Sequence, residues 1–309
     1  MTDEEKRQRM REYKKKWRED HKDKIKESNT RYKAKKKAGA LISGEAEGSS
    51  MTEEEYRAAP GVNKSTLWWI RKSPAHYRYY LTNPQQETPA LKMGRAIHAA
   101  ILQPKAFEKG YVASPGFDRR TKEGKAAYDA FMIEAAGREV LSAEEMEQCQ
   151  AIKKAVTGCE SARQLLEGCE TEKPFFWHDD ESGILCKCRV DAIRPGVLVD
   201  LKTCADASTE AFTRDAIKYG YDVQAAHYVH GVKASSGTAP AFYFIAVEKA
   251  PPYAVNVIKA SDGFLDRGMM QRFDLLARLK ECQEADSWPD YGESDLILPA
   301  WAEIPEDDY

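Results

Sequence analysis

The chain has 309 residues, 42% of them hydrophobic, which suffices for one large domain or two small ones with a sizeable core. No apolar run reaches the ~18 residues of a membrane-spanning helix and no hydrophobic leader opens the chain, so a cytoplasmic protein with seven reduced cysteines is expected. The net charge of −3 hides an asymmetry: residues 1–40 hold 16 Lys/Arg against 8 Asp/Glu, leaving −11 for the rest.

A basic arm on an acidic body suits an arm that meets a polyanion and a body that uses carboxylates for another purpose. Residues 1–40 carry a thin apolar stripe, Met10, Tyr13, Trp17, Ile25 and Tyr32. They read as a solvated helical or disordered tail, or as a nucleic-acid-contacting arm. Residues 41–51 read as a linker, which leaves 52–309 as the compact domain. A helical region comes first. In NKSTLWWIRKSPAHYRYYL, Asn63 is the expected N-cap, and the helix is interrupted before Pro74. LKMGRAIHAAIL predicts a helix over 91–102 ended by Pro104, Thr121 and Ser142 cap two more, and SARQLLEG is a short one.

From about Thr171 the period changes from 3.6 to 2. EKPFFWHD, GILCKCRVDAIR and GVLVDLKT predict three successive strands. TEAFTRDAIKYG and YDVQAAHYVHGVKA predict helices, AFYFIAVEK and YAVNVIKA two more strands, and SDGFLDRGMMQRFDLLARLKECQEA a closing helix. That order predicts an α/β fold, a mixed sheet flanked by helices.

In VLVDLKT, alternation puts Val197, Val199 and Leu201 on one face and Asp200 and Lys202 on the other. The preceding strand has Cys186, Cys188, Val190 and Ala192 on its apolar face and Lys187, Arg189 and Asp191 on its polar one. A hairpin through Arg194-Pro195-Gly196 brings Asp191 near Asp200. Two close carboxylates repel unless a cation sits between them, and a hard divalent ion takes such oxygen ligands. An amine two residues along can orient a water on that ion. The plainer alternative is a surface pair between Asp200 and Lys202 on an edge strand.

Asp191 followed by Asp200-Leu201-Lys202 resembles the core of the PD-(D/E)XK nuclease superfamily. PGVNKSTL, MGRAIHAAILQP, FDRRTKEGK, ESGILCKCRVDAI, VDLKT, VQAAHY and LILPAWA, in that order, narrow the likeness to the RecE-type exonuclease (exonuclease VIII) C-terminal domain over about residues 56–303. The resemblance implies a restriction-endonuclease-like core with a helical N-terminal region. It implies a Mg²⁺-dependent double-strand DNA exonuclease, with Mn²⁺ as a substitute, that degrades 5′ to 3′. Such enzymes, of phage or prophage type, leave 3′ single-strand tails for a RecT-like annealing protein in recombination. Asp191, Asp200, His98 and the Leu201 carbonyl would hold the metal, and Lys202 would position the attacking water. Gln224 and Tyr228, four apart on one helix face, match a Q-x-x-x-Y element beside the site in related nucleases. Relatives encircle DNA as rings, so a homo-oligomer, a tetramer, is expected. A structure-selective endonuclease of the same fold and a non-hydrolytic DNA-binding recombination module are the rival readings.

Weaker signals remain. Arg119, Arg120, Lys122 and Lys125 near a helix start suit either phosphate contact or a solvated basic turn. Lys64, Ser65 and Thr66 at another helix start are candidates for a 5′-phosphate. Trp68 and Trp69 cannot both face the core of one helix, so partial burial is expected, with one of them stacking on a base or packing on a neighbouring subunit as the alternative. His227 and His230, three apart, could bind metal, but with no third partner in view structural or exposed roles are expected. Only Cys282 lies beyond Cys204, too few for the iron–sulfur cluster found in some of these nucleases, and Cys186 and Cys188 are expected in the core.

Overall fold

The computed structural model describes residues 51–83 and 86–297, with single positions 8, 12, 15 and 19, which are helical and exposed. The other residues of the arm, nearly all of the linker and the end of LILPAWA lie outside the described residues.

The N-terminal region is a series of capped helices. Helix α1 (Glu53–Ala58) carries a capping box from Thr52 and Glu55. Helix α2 (Lys64–Leu67) starts at Asn63, whose side chain accepts from the Thr66 amide, and continues as a 3₁₀ turn, Trp68–Arg71. Helix α3 (Pro74–Thr82) is capped by Ser73 with Pro74 in the first turn, where its missing N–H costs nothing. Helix α4 (Pro89–Leu102) begins two residues before the expected start, because Thr88 caps it and Pro89 fits the first turn. Pro104, expected only to stop a helix, also opens α5 (Pro104–Gly110). Strands β1 (Tyr111–Ala113) and β2 (Glu139–Leu141) form a short parallel pair that the sequence pattern did not predict. Between them lies α6 (Lys122–Glu134), capped by Thr121, and after them α7 (Ala143–Gly158), capped by Ser142, and α8 (Glu160–Leu166).

The main sheet has five strands in sequential order: β3 (Glu170–His178), β4 (Leu185–Arg194), β5 (Val197–Cys204), β6 (Ala241–Glu248) and β7 (Val255–Lys259). Only β5 and β6 are parallel, so the sheet is mixed. Their crossover runs through α9 (Thr209–Tyr219) and α10 (Tyr221–Ser236), as a parallel connection requires. Helix α11 (Asp262–Ala285) closes the domain against α10. A Cβ on Gly268 would meet the Asp222 carbonyl oxygen at 1.9 Å, so glycine is what lets α10 and α11 approach so closely.

Helices cover both faces of the sheet. Cys186, Cys188, Val190, Leu198, Phe242 and Phe244 pack with Val223 of α10 and Leu276 and Leu279 of α11. Val199, Leu201, Ile245 and Val247 pack with Ile97 of α4 and Ile152 and Val156 of α7. This corrects the two-faced reading of β5. The face that carries Asp200 is buried too, and Leu198 beside it is fully enclosed. A sheet covered on both sides leaves no solvent face for a polar residue to claim. Lys187 is likewise buried, its ammonium donating to the Tyr56 and Ala59 carbonyls (2.8 and 2.6 Å) at the end of α1. There it meets the negative end of the helix and satisfies carbonyls the helix leaves open.

Candidate active site

The hairpin between β4 and β5 turns at Gly196, which takes φ +76°, a conformation glycine adopts without strain. The pairing covers three rungs, Arg194 with Val197 to Ala192 with Val199. Beyond Val199 the ladder ends, and farther along β4 its free side is taken by Val62, whose amide donates to the Leu185 carbonyl (2.9 Å) and whose carbonyl accepts from the Lys187 amide (3.0 Å). The two strands thus part at Asp191 and Asp200, and the parting makes room for side chains between sheet and helices. On the opposite side of β4, Thr171 pairs with Ala192 and Lys173 with Val190, so Glu172 stands across from Asp191. Glu172 has φ +54°, a left-handed backbone unusual for a non-glycine residue.

Asp191 accepts a 2.8 Å hydrogen bond from the Leu201 amide and lies 3.5 Å from His98 Nδ1 on α4. His98 also hydrogen-bonds the Leu201 backbone. Donor atoms of His98, Glu172 and Asp191 all lie within 4.8 Å of one another. Asp200 is fully buried, accepts from Gln224 Nε2 at 2.6 Å and pairs with the Lys202 ammonium. That ammonium also sits 5.0 Å above the Tyr221 ring. Arg189 donates to Glu172 at 2.8 Å.

Burial dominates the electrostatics. It raises Asp200 to about 6, with Asp191 adding to the rise and Lys202 opposing it. Burial and then Asp191 raise Glu172 to about 7, and burial raises Asp191 against the pull of Lys202. Burial and then Lys202 lower His98 to about 4, which leaves a neutral imidazole at ordinary pH. Burial would lower Lys202, but Asp200 and Asp191 outweigh it, so the ammonium is held protonated. Tyr228, one turn beyond Gln224, has its phenol pushed well above its usual value by burial and then by Asp200. Three acids therefore share a buried space with two fixed cations, Lys202 and Arg189. Hard carboxylate oxygens and one neutral imidazole form a donor set that fits a divalent cation, and such a cation would relieve the raised acids.

The predicted residues divide accordingly. His98, Asp191, Asp200, Leu201, Lys202, Gln224 and Tyr228 are brought to one place. Asp200, however, turns to Lys202 and Gln224 and lies outside the tight donor cluster, in which Glu172 appears instead. Glu172 was missed because only the β3–β4 register sets it across from Asp191, and no local pattern marks it. Lys64 borders the site: it donates to the Tyr219 carbonyl (2.6 Å), and burial and then Lys202 lower it to about 8. Ser65 is exposed. Arg119, Arg120, Lys122 and Lys125 are exposed at the start of α6, a helix with no buried residue, and no described contact joins them to the acids. Arg119 stacks instead on Tyr128, 4.2 Å from its centroid. His227 is fully buried between the Lys187 carbonyl and Arg272, which pairs with Asp179 at 2.6 Å, a structural network. Cys186 and Cys188 are core residues whose thiols burial pushes up.

A family model described as a PDDEXK-like domain of unknown function (DUF3799) matches residues 64–297. No curated protein matches the chain. Among solved structures, one described as a "putative exonuclease" from Eubacterium rectale aligns over 82% of this chain and 96% of its own. Its identity is 17% and its TM-score 0.57, a likeness of fold. An alkaline exonuclease from Laribacter hongkongensis aligns over 76% of this chain and 97% of its own, at 14% identity and a TM-score of 0.27, too low to bear on the fold.

Proposed function

The chain belongs to the PDDEXK-like domain family DUF3799, and from that premise we propose that it is a metal-dependent exodeoxyribonuclease of the RecE type. In this reading it digests double-stranded DNA 5′ to 3′ and leaves 3′ tails for a RecT-like annealing protein in recombination. The observation that carries the reading is the meeting of Asp191, Asp200, Lys202 and His98 where β4 and β5 part, with more buried acid than fixed cation to balance it.

His98, Glu172 and Asp191, with Asp200 and the Leu201 carbonyl beside them, would hold Mg²⁺ or Mn²⁺. Such an ion, when bound, supplies positive charge against the phosphoryl oxygens and lowers the pKa of water. The chain's own groups do the rest. Lys202 stays protonated because two acids face it, so it donates hydrogen bonds to the attacking water and to the charge that grows on the phosphate. Gln224 fixes the Asp200 carboxylate from the helix side. Tyr228 keeps its proton and serves as a donor. Lys64, beside Lys202, and Ser65 suit a terminal 5′-phosphate. Arg119, Arg120, Lys122 and Lys125 suit the backbone of the duplex. The basic arm, residues 1–40, joined through the linker, 41–51, suits the loading of DNA or the recruitment of a partner by its charge. A ring-shaped homo-oligomer in the cytoplasm, a tetramer, completes the proposal, since only its bore needs to be basic.

The test is digestion of linear duplex labelled at one 5′ end, with Mg²⁺. Mononucleotide release from that end by the wild type, and none by Asp200→Ala or Lys202→Ala, is expected. Equal digestion by both variants refutes the site. Cleavage of covalently closed circles would select a structure-selective endonuclease, and binding without turnover a recombination module that does not hydrolyse.

A further inference from the structure

No acidic residue stands between Glu55 and Glu87, although the chain after residue 40 carries −11. This acid-free stretch holds Arg57, Lys64, Arg71, Lys72 and Arg78, together with Trp68, Trp69, Tyr79 and Tyr80. Both tryptophans are half-buried against the same core, and their rings meet different partners. Trp68 turns to the hydrolytic centre: its ring packs on Gly220, where an added Cβ would meet it at 2.5 Å, and the Lys64 and Arg71 cations lie 4.8 and 4.5 Å from its centroid. Trp69 stacks on Tyr80 at 3.9 Å, with Tyr79 set edge-on to Tyr80 at 5.2 Å. Tyr79 is 59% exposed, and Arg71, over the Trp68 ring, and Lys72 after it in the chain are exposed as well. Of the three rings Tyr79 is the open one, set beside the half-buried Tyr80 and Trp69.

We propose that Trp69, Tyr79 and Tyr80, with Arg71 and Lys72, form a platform that binds an unpaired DNA strand outside the hydrolytic centre. The occupant follows from the chemistry. Ring faces accept any base by stacking, while cations without competing acids track a phosphate backbone. In the same helix Leu81 is 52% exposed and Arg78 pairs with Asp286, but the platform's own groups are aromatic and positive, and no ion pair joins Arg71 or Lys72 among the described residues. Duplex DNA hides its base faces and cannot use the rings. The proposal rests on the nuclease reading and deepens it by naming the form of DNA held: one strand, released from its complement beside the site. Trp68, next to Trp69 in the chain, and Lys64 over its ring lead from the platform toward Lys202, the path proposed for the released strand.

The experiment is fluorescence anisotropy with a labelled oligo-dT strand, in EDTA so that nothing is hydrolysed. Tyr79→Ser, at an exposed position, is expected to weaken binding at least fivefold, in line with the loss of one stacked base. Tyr79→Phe keeps the ring and should keep the affinity. Lys72→Ser should reduce the salt slope by about 0.7, the loss of one phosphate contact on a single strand. Unchanged affinity in Tyr79→Ser overturns the proposal. An equal loss for a blunt hairpin duplex also overturns it, since that would be attraction without stacking. A change of oligomeric state at constant DNA affinity overturns it too and assigns the patch to subunit packing. Because binding is read without metal, each of these failures leaves the digestion test of the nuclease reading standing.

Discussion

Replacing Lys202 with Met should destabilise the protein strongly near pH 8 and hardly at all near pH 5. The substitution keeps the aliphatic stem and removes the ammonium that pairs with Asp200, a residue with no exposure to solvent. With Lys202 present, the Asp200 carboxyl titrates at about 6. Near pH 8 the ionised native form therefore lies below the protonated native form by about two pH units, or roughly 3 kcal/mol. Without the ammonium, burial and Asp191 keep the proton on Asp200, and that contribution disappears. Near pH 5 the wild-type carboxyl already holds its proton, so little is lost. The sign is set by the direction of the shift. A carboxyl raised above its unfolded value holds extra protons in the native state, so its contribution declines as pH rises. Lys202 stops that decline at about 6, and the variant lets it run on. Urea unfolding in EDTA, followed by circular dichroism at both pH values, measures the difference. An equal loss at the two pH values would refute the buried-pair reasoning.

Three further outcomes are expected. Glu172→Gln should weaken Mn²⁺ binding, read by calorimetry, at least tenfold, while raising Tm in EDTA because it removes a charge disfavoured by burial and then by Asp191; an unchanged Kd would show that Glu172 is not a ligand. Saturating Mg²⁺ should raise Tm more near pH 8 than near pH 5, because protons compete for Glu172 and Asp200, which titrate at about 7 and about 6. A pH-independent shift would place the ion elsewhere. Gly220→Ala should cost about 2 kcal/mol or more and alter tryptophan fluorescence, since the residue holds φ +67° and its new Cβ would strike the Trp68 ring. An unaltered Tm would contradict that packing.

Much of the fold was legible because its signals are local. Asn63, Thr121 and Ser142 each cap a helix through their own side chain and the next turn, and a span of four residues carries the whole message. The strands around Asp191 and Asp200 announced themselves by alternation and by Gly196 between them. Where the reading failed, the deciding contact was distant. Lys187 stands at a polar position of its strand, yet it is buried because a helix that ends more than a hundred residues earlier offers it carbonyls. Pro104 stops one helix and starts another, and its ring alone does not distinguish the two tasks.

The sequence by itself determined which acids, which amine and which histidine exist, their spacing along strand and helix, and the likeness that gave them roles. Tertiary structure alone decided that both faces of β5 are covered, that Glu172 joins His98 and Asp191, and that Asp200 turns to Lys202 and Gln224. The physical reason is that side-chain alternation is set by neighbouring peptide units, whereas strand register, the parting of β4 from β5 and the depth of burial depend on packing between segments far apart in the chain. Burial is what raises the acids and makes a cation welcome, and no local pattern records it.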